Sequence, residues 1–586
     1  MHRRRWWMAG ALGVAVALCA CEQPNWEDPA YIGEKLLSAD ANEVTIAVER
    51  ARELDQEKRK ALVEPLSKLY LKADLSQKDA MALLVQLKDP GAKDAYIAEV
   101  KTNATKYGGA AAEALGQAGV KEALGDMLAL LDSTDDPDVK VGILRGMSYM
   151  PDKQMVGALT KLLRLNPDNN PIALHSYACD ILGDIAIADP SAVNDAAVQE
   201  VVKGVFLSNN QMQTTAKECG LAVQKIGAPA IPVLLATFKG ENMQVQKLMM
   251  AYQAGITPKQ GVADMFPMNR PRGVAAVRLA TMRAQVAVPE FIKLLEEPVE
   301  LPKELKGATG ESKLGWVQMQ AQVFTEVIRG LGDMRAKEAT DILLQIASGE
   351  KMKDYSLIVD GFIEMQMRQD AVAALNKIGE RGVADKIFEI ATSAKVDDLI
   401  TRFDYVDGQA KQGKGKPVDA QTRFNINFVM MQGWVNLAGP GSRAKYDSWV
   451  SSLEREDYKT LMGKLTPALE VAEECGAKSS QGEQASCYAG KVKSGEDASR
   501  EKAAYELSRL STADAGAAVF DALGTDRLAT REVLTFSAYQ HAAHKGAAQA
   551  VDAILERDAS QGGDGYKLDR YRLKLLHAFL VRQAAG

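Results

Sequence analysis

The hydrophobic positions of residues 107–210 follow a helical pattern that occurs several times. Apolar residues in 124–131 recur at the three- and four-residue spacing of one helix face. Glycines end the preceding apolar stretches at intervals of 30, 37 and 44 residues, at Gly116, Gly146, Gly183 and Gly227. Self-similarity at a period near 40 residues, with two helices per unit, is typical of an α-solenoid. We therefore expect an all-α chain of stacked helical hairpins.

Proline residues mark the joints of this region. Pro137, Pro171 and Pro229 fit the first turn of a helix, where the missing N–H would have no intrahelical partner. These joints divide residues 107–239 into four helical pairs. The pattern returns at residues 272–297, 323–346, 371–390, 500–523 and 531–555, and residues 568–581 are predicted to form a closing helix.

The charge-rich opening suits the end of a solenoid, because terminal units need a polar outer face. Residues 28–87 have the spacing of two or three amphipathic helices. The predicted organisation is a signal peptide at 1–20, a tether at 21–30, an N-terminal helical cap at 31–100, a repeat array at 101–395, a flexible insertion at 396–421, and C-terminal repeats with a closing helix at 422–586.

These repeats resemble HEAT repeats, and more narrowly the bacterial variety in which an alanine-rich first helix ends in Leu-Gly or Ile-Gly. The matching motifs are Ala114-Leu115-Gly116, the Ile-Gly-Ala-Pro-Ala-Ile-Pro-Val-Leu-Leu of residues 226–235, and the Arg-Glu-Lys-Ala-Ala-Tyr-Glu-Leu of residues 500–507. The resemblance covers most of residues 100–395 and 420–560. It implies a HEAT-like α-solenoid that binds protein partners along one helical face, with no chemistry of its own.

Long connections interrupt the predicted repeats at residues 256–272, 296–315 and 399–421. Insertions in a solenoid form loops on one face, often the binding face. Methionine adapts to varied partners, although it more often fills gaps in a core. For the third connection, a solvated loop without function is the alternative. The residues predicted to contact a partner are Met265, Phe266, Met268, Arg270 and Arg272 in the first connection and Lys411, Lys414 and Lys416 in the third.

The N-terminus has the parts of an export signal. Arginines at positions 3–5 supply positive charge, and an apolar stretch follows at 6–18. Leu18-Cys19-Ala20-Cys21 resembles the lipobox of bacterial lipoproteins, which implies acylation of Cys21 with palmitate or a similar chain. The alternatives are cleavage without lipidation and an uncleaved membrane helix. The run from Trp6 to Cys21 is 16 residues, short of the roughly 20 that span a bilayer.

The predicted location is the cell envelope, with a lipid anchor in the outer membrane and the body facing the periplasm. In lipoproteins of enteric bacteria, an aspartate after the acylated cysteine favours the inner membrane. Glu22 at this position therefore favours the outer membrane.

Exported proteins retain disulfide bonds, so the cysteines beyond the signal are informative. Cys475 and Cys487 flank a polar stretch between two predicted helices, and we expect them to pair; two unrelated thiols are the alternative. Cys179 and Cys219 lie in the alanine-rich first helices of successive units. For this second pair, the sequence leaves both free thiols and a disulfide open.

Composition and motifs argue against nucleic acid, cofactors and metals. The net charge of -6 supplies no basic face for nucleic acid. Residues 408–415 approach a phosphate-binding loop, but Gly415 stands where Ser or Thr would hold magnesium. Aspartates 132, 135, 136 and 138 suit helix capping better than calcium binding. We interpret His541 and His544 as an exposed pair on one helix rather than a zinc site.

The sequence therefore favours a non-enzymatic, membrane-anchored scaffold that docks other envelope proteins, with no catalytic residue, metal or cofactor. An enzyme subunit of the HEAT-like lyase type is one alternative, and a group of titratable residues beside a cavity on the concave face would favour it. A carrier of an apolar ligand is another alternative. A wide dry groove would favour such a carrier, and a polar concave surface would count against it.

Overall fold

The computed structural model describes residues 25–72, 76–102, 106–255, 268–306, 310–359, 361–392, 403–406, 409–412 and 420–585. This part of the chain is helical apart from one short antiparallel hairpin and an isolated β-bridge. It divides into two compact units, one up to Met150 and one from Pro151 onward. The boundary falls inside the predicted repeat array.

The first unit contains nine α-helices in its described residues. They are α1 (Pro29–Leu36), α2 (Ala41–Glu53), α3 (Gln56–Lys60), α4 (Val63–Leu71), α5 (Gln77–Leu87), α6 (Lys93–Lys101), α7 (Gly108–Gln117), α8 (Leu124–Ser133) and α9 (Pro137–Ser148).

Residues 28–87 form five helices where the sequence pattern indicated two or three. Aspartate caps explain part of the difference. Asp40 accepts a hydrogen bond from the backbone N–H of Asn42, and Asp55 accepts one from Lys58. These caps mark the starts of α2 and α3. The helical spacing of apolar residues continues across the turns between the helices, so spacing alone does not indicate where one helix ends and the next begins.

Glycine sets the distance between α7 and α9. A Cβ atom on Gly116 would collide with the backbone of Gly146, and one on Gly146 would collide with the backbone of Ala112. The marker glycines of this unit therefore lie where two first helices meet backbone to backbone.

The array helices of the second unit are α10 (Val156–Leu162), α11 (Ile172–Ala188), α12 (Asp195–Gly204), α13 (Ala216–Ile226), α14 (Ala230–Lys239), α15 (Met243–Gly255), α16 (Arg270–Thr281), α17 (Val288–Glu296), α18 (Gly310–Asp333), α19 (Thr340–Ser348), α20 (Gly361–Ile378) and α21 (Ala384–Thr392). A hairpin of β1 (Phe403–Val406) and β2 (Gln409–Gln412) follows, inside the predicted flexible insertion.

The remaining helices are α22 (Ala420–Leu437), α23 (Arg443–Ser452), α24 (Glu456–Gly463), α25 (Thr466–Gly476), α26 (Gln481–Ser494), α27 (Asp497–Arg509), α28 (Ala513–Ala522), α29 (Leu528–Gln540), α30 (Ala547–Arg557) and α31 (Asp564–Ala585). Each helical pair predicted after residue 270 is present, and α31 is the predicted closing helix.

The first helices of successive repeats in the second unit pack side by side. Extensive contacts join α11 to α13, α16 to α18, α18 to α20, and α20 to α22. The chain is thus an all-α, HEAT-like α-solenoid, as the repeat spacing predicted.

The C-terminal helices form a second row, which the sequence did not predict to meet the first. In this row α25, α27, α29 and α31 pack in order, and α31 also packs against α13. The Arg278 guanidinium of α16 donates to the Tyr571 hydroxyl of α31 at 2.7 Å, and Arg582 donates to the Ala186 carbonyl at 3.2 Å. The C-terminal row therefore covers the array helices of its own unit.

Candidate functional site

Five of the predicted site residues lie outside the described part of the chain. Met268, which is described, lies two residues before the start of α16, and the first turn of that helix carries Arg270 and Arg272. The Arg272 guanidinium lies 5.0 Å from the ring centroid of Phe238, so part of this side chain packs against its own chain. Lys411 lies in β2, in register with Asp404 of β1. The residues outside the described ranges are Cys21, Met265, Phe266, Lys414 and Lys416.

The predicted disulfide between Cys475 and Cys487 is present, with its Cα atoms 5.5 Å apart. It joins α25 to α26. Because α26 begins at Gln481, Cys487 lies within a helix, and the connection is shorter than the polar loop expected. A Ser480–Glu483 capping box starts that helix in what reads as loop sequence.

A second disulfide joins Cys179 of α11 to Cys219 of α13, with Cα atoms 4.9 Å apart. The sequence left this pairing open because the approach of successive first helices is not visible in the spacing of residues. The bond cross-links neighbouring repeats 40 residues apart in sequence.

One of the clustered aspartates, Asp136, caps a helix. Asp136 accepts hydrogen bonds from the backbone N–H groups of Asp138 and Val139, which stabilises the start of α9. Within the described ranges, no group of three or more His, Cys, Asp or Glu side chains is placed to hold a metal ion.

The expectation of an exposed histidine pair on one helix was wrong. Helix α29 ends at Gln540, and His541 is 8% exposed, with its Nε2 atom 2.9 Å from the Leu507 carbonyl oxygen. Burial lowers the pKa of His541. The His544 ring stacks on Phe520 with centroids 5.4 Å apart. Both histidines therefore belong to the packing between helices.

A polar cavity of about 530 Å³ lies between the two rows of helices in the second unit. Its array side is formed by α16, α18 and α20, and its C-terminal side by α29 and α31. The lining residues repeat at helical spacing within each helix. They include Thr281 and Arg283; Glu326, Arg329 and Asp333; Asp370 and Lys377; Glu532, Thr535, Phe536 and Tyr539; and Arg572.

Ion pairs between neighbouring helices neutralise most of the cavity's charges. Lys377 of α20 bonds to Asp333 of α18 at 2.7 Å, and Arg329 of α18 bonds to Asp370 of α20 at 3.1 Å. On the opposite wall, Arg572 of α31 and Glu532 of α29 are 2.9 Å apart. These three pairs hold the walls in a fixed arrangement.

Arg283 differs from the other cavity cations. Its guanidinium lies 4.5 Å from the ring centroid of Tyr539 and 5.5 Å from that of Phe536. Its Nε and Nη1 atoms are buried and have no hydrogen-bond partner among the described residues. Burial lowers the pKa of Arg283. The aromatic rings partly stabilise this cation, but no carboxylate in the described structure lies within ion-pair distance.

The carboxyl groups of the cavity respond to burial in different ways. Burial raises the pKa of Glu326 and of Asp370, and Arg329 only partly opposes this effect. Burial would also raise the pKa of Asp333, but Lys377 and Arg283 outweigh it, so its pKa is lowered. Asp333 thus stays ionised between two cations, whereas Glu326 and Asp370 are more easily protonated.

The sequence analysis missed this cavity. Its signal is the run of charged residues at helical spacing inside the first helices, where the repeat pattern indicates packed small residues: Glu326, Arg329 and Asp333, and Asp370 and Lys377. Sequence spacing could identify these residues as unusual. It could not show that the C-terminal row covers them.

Helix α15 presents a second candidate surface. Met243 is 61% exposed and Met250 is 54% exposed, while Val245 and Met249 anchor the opposite side. Lys247 lies on the exposed side between the two methionines. We call Met243, Lys247 and Met250 the methionine face.

No helix in the described part of the chain combines the length and apolarity needed to cross a bilayer. The predicted signal at residues 1–20 and the tether residues 21–24 lie outside the described ranges.

The sequence matches no protein-family model and no curated protein. Several solved structures match the chain at low identity. Two crystal structures of importin beta, from ammonium sulfate and polyethylene glycol conditions, cover 94% of this chain at 11% identity. The match includes 89% of the importin beta chain from ammonium sulfate, with a TM-score of 0.29, and 93% of the chain from polyethylene glycol, with a TM-score of 0.33.

A structure from work on a phosphorylation switch that controls the interaction between cadherin and β-catenin is also similar. The match includes 95% of this chain and 99% of the chain in that structure, at 12% identity and a TM-score of 0.25. At these TM-scores the likenesses carry no argument about function. The order and packing of the helices establish the α-solenoid.

Proposed function

We propose that this protein is a lipid-anchored scaffold of the cell envelope that binds other envelope proteins through the methionine face of α15. The observation that carries the proposal is the exposure of Met243 and Met250, at 61% and 54%, on one side of the same helix. Residues seven apart in a helix lie on the same face. Exposed apolar residues scattered singly are ordinary, whereas grouped ones mark interaction surfaces.

The chemistry of this face favours a protein segment with apolar and acidic residues. Methionine side chains are flexible and polarisable, so they fit apolar partners of varied shape. Lys247 places a positive charge between them. The connection that follows α15 contains Met265 and Phe266, so the predicted contact residues continue the same chemistry along the chain.

An exported, anchored location is supported by the cysteines. Both disulfides suit an oxidising compartment such as the periplasm. Cys21 is the proposed acylation site, and Glu22 favours the outer membrane. Stable anchoring requires more than one chain, so we propose that Cys21 carries the several acyl chains of a mature lipoprotein.

Site-specific crosslinking tests the docking surface. A photoreactive amino acid replaces Met250 in the full chain, and a matched chain carries it at Val286, which is 57% exposed on another segment. We expect a discrete protein adduct in intact cells from position 250, and its loss when Met243→Glu is added. Equal adducts from positions 250 and 286, or an adduct insensitive to Met243→Glu, would contradict the proposed surface.

The anchor is tested separately by Cys21→Ser. We expect loss of palmitate labelling and release of the protein from the membrane fraction, because the acyl acceptor is gone. Cys19→Ser is the matched control and should keep both properties. Membrane retention of the Cys21→Ser protein would exclude a lipid anchor at this position while leaving the docking test unaffected.

The cavity favours one alternative and counts against another. It places titratable side chains beside a cavity, which is the feature expected of an enzyme subunit. Because carboxylates neutralise three of its four cations, we favour the binding of a polar ligand over catalysis. The same polar lining counts against a carrier of apolar ligands.

A further inference from the structure

Arg283 has no direct ion pair inside the cavity. Arg329, Lys377 and Arg572 each have a carboxylate within 3.1 Å, whereas Arg283 has none among the described residues. Burying a charge without a partner is unfavourable. Stacking on Tyr539 and Phe536 offsets part of this cost. Asp333 acts on Arg283 electrostatically without forming an ion pair with it. The free protein therefore holds a guanidinium that lacks a direct carboxylate contact.

The local fold does not require an arginine here. Arg283 follows the first helix of its repeat with φ 56°, a left-handed conformation that favours glycine. The Ala284 N–H closes the helix end by bonding to the Leu279 carbonyl at 3.0 Å. Gly379 occupies the corresponding position of a later repeat, with φ 83°. Glycine is sufficient for this turn, so the Arg283 side chain needs another explanation.

The next repeat shows what a structural arginine at this position does. Arg335 has φ 54°, and its guanidinium donates to the carbonyl oxygens of Lys377 and Ser508 at 3.0 and 2.9 Å. Arg335 thereby ties the two rows of helices together. Arg283 has the same backbone conformation without these bonds, and it lines the cavity instead.

We propose that the cavity binds the carboxylate of a small, hydrophilic organic molecule, with Arg283 as its cationic partner. A volume of about 530 Å³ is far larger than an inorganic ion and within the range of small-molecule sites. Guanidinium and carboxylate form strong, charge-assisted hydrogen bonds. Thr281, Thr535 and the fixed ion pairs supply polar groups around the rest of the ligand.

Matched probes test the charge requirement. Calorimetry with the full chain compares N-acetyl-trialanine, which has one carboxylate and no ammonium, with its neutral C-terminal amide. Acetate and inorganic phosphate serve as small anions. We expect N-acetyl-trialanine to bind, and the amide to bind at least about tenfold more weakly, because it lacks the charged acceptor.

Variants then test the assigned residue. Arg283→Met should weaken binding of N-acetyl-trialanine by about tenfold or more, whereas Arg527→Met, which removes an exposed cation elsewhere, should not change it. In the free protein, the melting temperature of Arg283→Met should stay the same or rise, because an unpartnered buried charge is removed. Arg283→Gly provides a second variant that keeps the turn.

Several outcomes would overturn the proposal. These are equal binding of the carboxylate and the amide, binding of neither probe, or unchanged binding by both Arg283 variants that fold. Phosphate binding as tight as that of N-acetyl-trialanine would show a general anion site rather than one for organic carboxylates. A large fall in melting temperature for both Arg283 variants would assign the residue to packing. Each result is independent of the docking and anchoring tests.

Discussion

In the first unit, α7 and α9 meet through glycine and alanine, whereas the facing rows of the second unit meet through charged side chains. Gly116 and Gly146 leave no room for a side chain between the helices. Between the two rows of the second unit, by contrast, arginine, lysine and carboxylate side chains lie around the cavity and where α20 approaches α27. The same type of helix thus serves close packing in one region and lines a charged cavity in the other.

The repeat pattern therefore describes packing, and departures from it indicate where a surface has another role. Backbone-to-backbone packing needs small residues, which is why it produces a regular sequence signal. Buried ion pairs contribute little net stability compared with apolar packing. A row that retains many of them is better suited to positioning and binding than to stability.

The substitution with the largest expected effect on stability is Glu506→Gln. Glu506 is buried and bonds to Lys502 at 2.7 Å, Arg509 at 2.9 Å and Arg381 at 2.6 Å. Removing its charge leaves three cations together, so we expect the free energy of unfolding of the second unit to fall by about 3–5 kcal/mol. Urea unfolding monitored by hydrogen exchange separates this loss from the first unit, which should not change.

The matched control is Glu456→Gln, which removes the carboxylate of an exposed pair with Lys459 in the same unit. Surface pairs contribute little, so we expect a change below about 0.5 kcal/mol. Similar losses for Glu456→Gln and Glu506→Gln would show that burial of the charge cluster is unimportant.

The second test concerns the glycine contact. Gly116→Ala places a methyl group against the backbone of Gly146, and we expect the first unit to lose about 1–3 kcal/mol by overpacking. Gly125→Ala is the control, because that position in α8 has nothing within 4 Å of an added Cβ. There alanine should add about 0.5 kcal/mol through helix propensity. Equal effects of the two substitutions, measured by urea unfolding, would exclude the close-contact explanation.

The sequence predicted the regular part of the molecule well. Pro137 and Gly227 have local backbone causes, because Pro137 starts α9 and Gly227 ends α13 with a φ of 75°. Gly116 and Gly146 identified the helical pairs for a different reason, since they lie where α7 and α9 meet backbone to backbone. It also identified Cys475 with Cys487 from their proximity along the chain. It could not predict the cavity, since contacts such as Arg278 with Tyr571 join residues 293 apart.

A third test uses acid. Burial would raise the pKa of Glu506, but Lys502, Arg509 and Arg381 outweigh it and lower the pKa to about 2. A carboxyl group with a lowered pKa stabilises the folded state above its unfolded pKa, near 4.5, and that contribution is lost as the pH falls. We therefore expect the second unit to lose stability between about pH 4.5 and pH 2.

The first unit contains a buried carboxyl group of the opposite kind. Glu99 accepts a hydrogen bond from the Tyr70 hydroxyl at 2.6 Å, and burial raises its pKa. A raised pKa means that the folded state binds the proton more tightly, so this group favours folding on acidification. Hydrogen exchange of each unit across the acid range should show earlier loss of protection in the second unit. Earlier loss in the first unit would contradict these assignments.

The smallest expected effect is that of Glu326→Gln in the cavity. Burial raises the pKa of Glu326, and its nearest cation, Arg329, is 3.8 Å away and already bonded to Asp370. The stability that this group contributes is present below its unfolded pKa and lost as the pH rises through the folded pKa. The neutral amide removes that loss, so the second unit should gain less than about 1 kcal/mol at pH 7 and nothing in acid. A gain confined to neutral pH, measured by urea unfolding, would mean that the charged lining is retained at the expense of stability, as expected of a binding surface. A loss at pH 7 would mean instead that Glu326 belongs to the ion pairs that hold α18 and α20 together.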